Sequence, residues 1–147
     1  MAKARRARAR ARDLKTVGPD EALIALFIGA MSANDHVSPQ EGARAHHLIW
    51  STRRFRRKSG ETVGKLIDRM RTLLEAHEAT TVMQVAANAI PARQRPSAFA
   101  VVADLLLADG RIDPRERRFL QRLGSDLRIA PDTVNRIVEV MLVKNHL

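Results

Sequence analysis

The sequence predicts an all-α protein of about seven helices, in which two pseudo-repeated three-helix units are joined by a connecting helix. Three observations support this fold class. Aliphatic residues recur at helical spacing through most of the chain. Proline, serine or aspartate precedes several of these stretches, as is typical of helix starts. An acidic turn near residue 110 is repeated in weaker form 75 residues upstream.

Composition limits what the chain can be. Its 147 residues are enough for one domain with a hydrophobic core. Because only 3% of the residues are aromatic, the core must be filled mainly by aliphatic side chains. The absence of cysteine excludes disulfides, thiolate metal sites and cysteine nucleophiles, and it fits a reducing compartment. No apolar run reaches the roughly 18 residues of a membrane span, and no apolar segment follows the N-terminal charges. We therefore expect a cytoplasmic protein.

Residues 1–17 are predicted to form a disordered basic arm, and residues 18–147 the helical domain. The net charge of +10 is concentrated in the arm, where seven basic residues face the single acid Asp13. Alanine and arginine favour a helix, but arginines four residues apart repel one another. No bulky apolar residue precedes Leu14 to dock the arm on the domain. We expect the arm to be mobile in isolation.

Within the domain, helical spacing and capping signals place the helices in order. Proline and acids after Gly18 begin the first helix, and Ser38-Pro39-Gln40-Glu41 has the pattern of a capping box for the second. Gly110 is a typical left-handed helix stop, followed by a second capping box, Asp113-Pro114-Arg115-Glu116. The predicted helices cover residues 19–33, 39–50, 61–74, 78–90 and 97–108, with two more starting at 114 and 131 and a linker at 92–95.

The second half of the domain resembles the first. With an offset of 75 residues, Asp109 aligns with Asn34 and Glu116 with Glu41. The third helices, 61–70 and 132–141, align with an offset of 71, so the first unit carries four extra residues, about one helical turn. We expect pseudo-twofold packing, in which each unit buries faces that neither could bury alone.

The acidic turns form the main candidate site. Asp109 follows a helix at the negative end of its dipole, where an acid costs about 0.3–1 kcal/mol, and a bound cation would offset that cost. Carboxylates and free carbonyls are the oxygen ligands that Ca²⁺ and Mg²⁺ prefer. The turn is not an EF-hand, because Leu105 and Leu107 would occupy ligand positions. Capping and turn formation alone remain the alternative explanation. The candidate metal ligands are Asp109, Asp113 and Glu116, followed by Asp35 and Glu41.

The doubled motif, residues 108–116 and 34–41 in an all-helical chain, resembles the TerB-like tellurite-resistance family over roughly residues 18–147. The resemblance implies a seven-helix domain of two related halves. It also implies a divalent-cation site at the acidic turns, no other cofactor, and a role with partner proteins in tellurite and stress response without established catalysis. The chain departs from the family at Asn34, where an acid is expected, at His36, and in the arm.

The alternative function is nucleic-acid binding through the arm. Several arginines would neutralise phosphates with a steep salt dependence and little sequence preference, and an anionic membrane surface would attract them in the same way. A second basic cluster around Phe55 extends this surface or is simply a solvated helix end. The candidate anion-binding residues are Arg5, Arg6, Arg8, Arg10, Arg12, Arg53, Arg54, Arg56, Arg57 and Lys58.

The remaining polar residues point to no catalytic site. Asp104 shares a small polar stripe with Ser97 and Ala108, so we expect it to face solvent. His46 and His47 lack the spacing of a zinc-binding helix and are expected to be exposed or at the edge of the core. An enzyme that hydrolyses its substrate at the acidic turns would need a water-activating base, and the sequence shows none. We therefore expect no enzymatic activity.

Overall fold

The computed structural model describes residues 1–33 and 39–147, with the backbone alone at 9–12, and these ranges hold eight α-helices, one 3₁₀ helix and no strand. The α-helices are α1 (Ala2–Lys15), α2 (Pro19–Ser32), α3 (Pro39–Ser51), α4 (Gly60–Ala76), α5 (Ala79–Ala89), α6 (Arg95–Leu106), α7 (Pro114–Asp126) and α8 (Pro131–Lys144), with the 3₁₀ helix at Ala92–Gln94. The all-α prediction is confirmed. None of the described helices is both long and apolar enough to cross a bilayer.

Helix α2 lies at the centre of the domain. Gly18 is extended, Pro19 occupies the first turn, and Asp20 and Glu21 place negative charge at the positive end of the helix dipole. The following six residues, 22–27, are all buried, with Phe27 fully enclosed. A helix that is apolar on every side needs neighbours on every side, and α2 packs against α4, α5 and α6.

Helix α6 is the second central element. Phe99 and Val102 are fully buried, and α6 contacts α2, α3, α7 and α8. The first helices of the two predicted units therefore pack against each other, and each packs against the third helix of its own unit. This arrangement suits a duplication, while the similarity of the two units in three dimensions stays a prediction.

The structure forms a helix where the sequence predicted a disordered arm. Helix α1 contacts α4 and α5, Leu14 packs against the core, and the Nη2 atom of Arg69 donates a hydrogen bond to Thr16 Oγ1 at 2.6 Å. The local sequence shows the repulsion between arginines and the helix propensity of the arm, but it does not show this distant anchor. An anchored C-terminal end removes part of the nucleation cost of the helix.

Candidate functional site

The acidic turn after α6 is a tight, internally bonded loop. Gly110 has φ of +75° and its N–H donates to Leu107 O at 3.0 Å, which confirms the predicted left-handed stop. Asp109 Oδ1 accepts a hydrogen bond from the Arg111 N–H at 3.1 Å. This Asp109 contact is the local turn chemistry common for aspartate before glycine.

The predicted capping box at the start of α7 is confirmed. Asp113 Oδ1 accepts from the Glu116 N–H at 2.8 Å, and Glu116 Oε1 accepts from the Asp113 N–H at 3.2 Å. Pro114 occupies the first helical position, where its missing N–H costs nothing. Each acid therefore satisfies one of the free amides at the helix start.

The three carboxylates of this turn differ sharply in exposure. Asp109 and Asp113 are exposed, whereas Glu116 is only 8% exposed. Its side chain must fold back over the helix start to complete the capping box, and that position is covered by the protein.

Burial and charge act together on Glu116. The pKa of Glu116 is raised to about 7: burial is the largest cause, the negative charges of Asp113 and Asp109 act in the same direction, and the hydrogen bond from the Asp113 N–H opposes them. The pKa of Asp113 is lowered, chiefly by the hydrogen bond from the Glu116 N–H. The turn therefore holds a carboxyl that resists ionisation, Glu116, next to one that ionises readily, Asp113.

A cation at this turn would need ligands beyond the side chains. In residues 1–33 and 39–147, no group of three or more histidines and acids is close enough to hold a metal ion. Backbone carbonyls or water would have to complete the coordination shell. Of the weaker candidates, Glu41 lies partly buried in the first turn of α3. Asp35, with the Asn34, His36 and Ser38 positions of that turn, lies outside the described residues.

Asp104 is not on a solvent face, which corrects the sequence-based prediction. It is 8% exposed and accepts hydrogen bonds from Arg44 Nη2 at 2.6 Å, Asn145 Nδ2 at 2.9 Å and Lys144 Nζ at 3.1 Å. Burial acts to raise the pKa of Asp104, but these hydrogen bonds and the Arg44 charge lower it overall. The signal that sequence reasoning missed was an acid inside the apolar run 101–107, which needs a partner from elsewhere in the chain.

The second basic cluster divides into structural and exposed residues. Phe55 is fully buried. Arg54 Nη1 and Lys58 Nζ pair with the Asp20 carboxylate at 2.7 and 3.1 Å, which ties the α3–α4 connection to the start of α2. The exposed members of the cluster are Arg53, Arg56 and Arg57.

The arm presents its own basic side chains on α1. Arg5, Arg6 and Arg8 are exposed, while the side chains of Arg10 and Arg12 lie outside the described residues.

The two adjacent histidines of α3, His46 and His47, are both exposed, and His46 Nε2 accepts a hydrogen bond from Trp50 Nε1 at 3.1 Å.

A cavity of about 590 Å³ lies between α2, α4, α5 and α7. Ile28, Leu74, Met83, Phe119 and Leu123 give it a mainly apolar lining. Its charged lining residues are Arg71, Glu75, Arg122 and Asp126.

Comparison with known proteins identifies the family. The family model described as tellurite resistance protein TerB matches residues 20–139. The chain belongs to the TerB family. The match begins at the first turn of α2 and ends within α8, so it takes in both acidic turns and leaves out the arm. No curated protein and no solved structure matches the chain.

Proposed function

We propose that this TerB-family protein is a non-enzymatic, cytoplasmic module of tellurite resistance or stress response that binds a divalent cation weakly and docks partner proteins. The burial of Glu116 is the observation that supports the proposed cation binding. Its carboxylate is buried beside Asp109 and Asp113, and its pKa is raised by burial and by their charges. Ionised Glu116 therefore carries an electrostatic cost that Ca²⁺ or Mg²⁺ bound at the turn would offset.

The arrangement suits weak rather than tight binding. Asp109 and Asp113 keep exposed carboxylates, but each already accepts a backbone hydrogen bond within the turn. A cation would compete with those bonds and would keep several water ligands, as Mg²⁺ commonly does. Asp35 and Glu41 are the corresponding candidates in the first half.

Calorimetric titration with Ca²⁺, Mg²⁺ and Mn²⁺ at pH 7.5 tests this proposal. Binding heat is expected for the unmodified chain and should be lost in the double variant Asp109→Asn/Glu116→Gln. Asp132→Asn is the matched control, because Asp132 is an exposed acid in the first turn of α8. It lies roughly 20 Å along that helix from the end near the turn. No heat for the unmodified chain, or equal heat for the double variant, would remove the cation site.

Partner docking is supported by the cavity between α2, α4, α5 and α7. Its volume of about 590 Å³ falls within the roughly 300–1,000 Å³ of typical binding pockets. Apolar lining with a few charged groups suits the burial of a partner's side chains.

The second candidate function is binding of nucleic acid or an anionic membrane surface by the arm. The observation that favours it is a helix, α1, whose described arginines are all exposed and so available to phosphates. Fluorescence polarisation with duplex DNA and RNA over a range of salt concentrations tests it, with anionic vesicles as a separate arm. A chain starting at Asp13 keeps the anchor at Leu14 and should no longer bind nucleic acid or vesicles. Equal binding by this truncated chain would exclude the arm as the binding element.

A further inference from the structure

We propose that Asp104 is a positioning residue for the acidic turn. It is not a ligand itself, but it fixes the end of α8, and Gly110 packs against that end. This inference rests on the proposed cation site and names what controls it. Asp104 lies on α6, and its partners come from α3 and from the end of α8.

The first step is the attachment of the α8 end to Asp104. The Asp104 Oδ1 atom accepts hydrogen bonds from Asn145 Nδ2 at 2.9 Å and from Lys144 Nζ at 3.1 Å. Lys144 Nζ also lies 3.2 Å from Oδ2. Hydrogen bonds to a buried carboxylate are stronger than neutral ones, so this contact fixes the position of residues 144 and 145.

The second step is the contact between the α8 end and the turn. A Cβ atom added to Gly110 would lie 2.8 Å from Asn145 O and 3.2 Å from the His146 Cα atom. The Gly110 backbone is therefore packed directly against the residue that Asp104 holds. Asp109 precedes Gly110 in the chain, so a shift of Asn145 moves a candidate ligand.

The third step brings in the first half of the domain. Arg44 Nη2 donates to Asp104 Oδ1 at 2.6 Å and to Asn145 Oδ1 at 3.2 Å. Arg44 lies on α3 three residues after Glu41, the acid in the first turn of that helix. The same carboxylate thus connects α3 of the first half to the end of α8, against which the acidic turn of the second half packs.

The experiment compares Asp104→Asn with Asp20→Asn in the full chain. Asp20 is the matched control, because it is also a carboxylate paired with one arginine and one lysine, Arg54 and Lys58, but it holds a different connection. Hydrogen exchange of residues 107–113 without added metal, and calorimetric titration with Ca²⁺ and Mn²⁺, are measured for both. Asp104→Asn should speed exchange in that segment by roughly tenfold and weaken cation binding several-fold. Asp20→Asn should change neither.

Unchanged exchange in Asp104→Asn would overturn the positioning role, whatever the cation result. An unmodified chain that binds no cation would remove the proposed cation site, while the exchange data would still decide whether Asp104 holds the turn. If Asp104→Asn fails to fold, Asn145→Ala serves instead, since it removes one donor and leaves Asp104 paired with Arg44 and Lys144. It should speed exchange in 107–113, and unchanged exchange in Asn145→Ala would contradict the proposal.

Discussion

Replacing Glu116 by glutamine should stabilise the protein at neutral and alkaline pH. Glutamine has nearly the same shape, and its side-chain oxygen can still accept the hydrogen bond from the Asp113 N–H that Glu116 Oε1 accepts at 3.2 Å. What the substitution removes is the buried negative charge. The comparison therefore separates the cost of ionisation from the benefit of the capping box.

The size of the effect follows from the pKa of Glu116, which burial raises from 4.5 to about 7 in the folded protein. Between these values the folded chain holds a proton that the unfolded chain has released, so the free energy of unfolding falls as pH rises. Each pH unit in this window is worth about 1.4 kcal/mol. Over the full window, the free energy of unfolding of the unmodified chain falls by about 3 kcal/mol. This contribution is present at pH 4.5 and is lost by pH 8.

Urea unfolding of both proteins from pH 4.5 to 8.5, without divalent cations, measures this difference. At pH 4.5 the two should be nearly equally stable, and the glutamine variant should gain steadily up to about pH 7.5. The difference between the two pH dependences removes the contributions of the titratable groups that both proteins share. The lowered pKa values of Asp113 and Asp104 act at more acidic pH. Glu61→Gln, at an exposed first-turn acid of α4, should show no such pH-dependent gain.

A glutamine variant that is less stable than the unmodified chain at pH 8 would refute this reasoning. So would a difference between the two proteins that does not change with pH. Either result would mean that Glu116 ionises without cost, and the electrostatic argument for a cation at the turn would fail with it.

Two further predictions concern the backbone and the core. Gly110→Ala should destabilise the protein by about 1–3 kcal/mol, because φ is +75° and the new Cβ would meet Asn145 O at 2.8 Å. Gly64→Ala, in open space on α4, should instead stabilise it by up to about 1 kcal/mol. Phe55→Ala should cost about 3–5 kcal/mol by leaving a cavity, since Phe55 is fully buried. The control is Arg56→Ala, at an exposed neighbour of Phe55. Its stability in thermal unfolding should stay within about 0.5 kcal/mol of that of the unmodified chain.

The sequence predicted the helix starts well where the signal is local. Pro19, Pro114 and Pro131 each occupy the first turn of a helix, because a fixed φ and a missing N–H suit that position. The capping box of α7 and the left-handed Gly110 are equally local and were predicted correctly. The helix predicted to begin at Ser97 instead begins at Arg95 and ends at Leu106, a shift within the usual uncertainty of helix boundaries.

Distant contacts are the common cause of the errors. The stripe of small and polar residues around Asp104 predicts a solvent-facing side chain, but Arg44, 60 positions away in the chain, pairs with the carboxylate and offsets the cost of burying it. The same applies to the arm, whose contact with Arg69 no local pattern reveals. In the basic cluster, Arg54 and Lys58 looked like free surface charges but pair with Asp20. Periodicity shows which face is polar, and it cannot show what covers that face.

Paramagnetic relaxation by Mn²⁺ tests the central claim, a divalent-cation site at the turn after α6, most directly. In spectra of the ¹⁵N-labelled chain, substoichiometric Mn²⁺ should broaden the amides of residues 109–116 first and leave those near Asp132 sharp. Excess Mg²⁺ should restore the broadened signals, and Asp109→Asn/Glu116→Gln should not show the broadening. Broadening that is absent, or that is spread over exposed acids throughout the chain, would contradict the account.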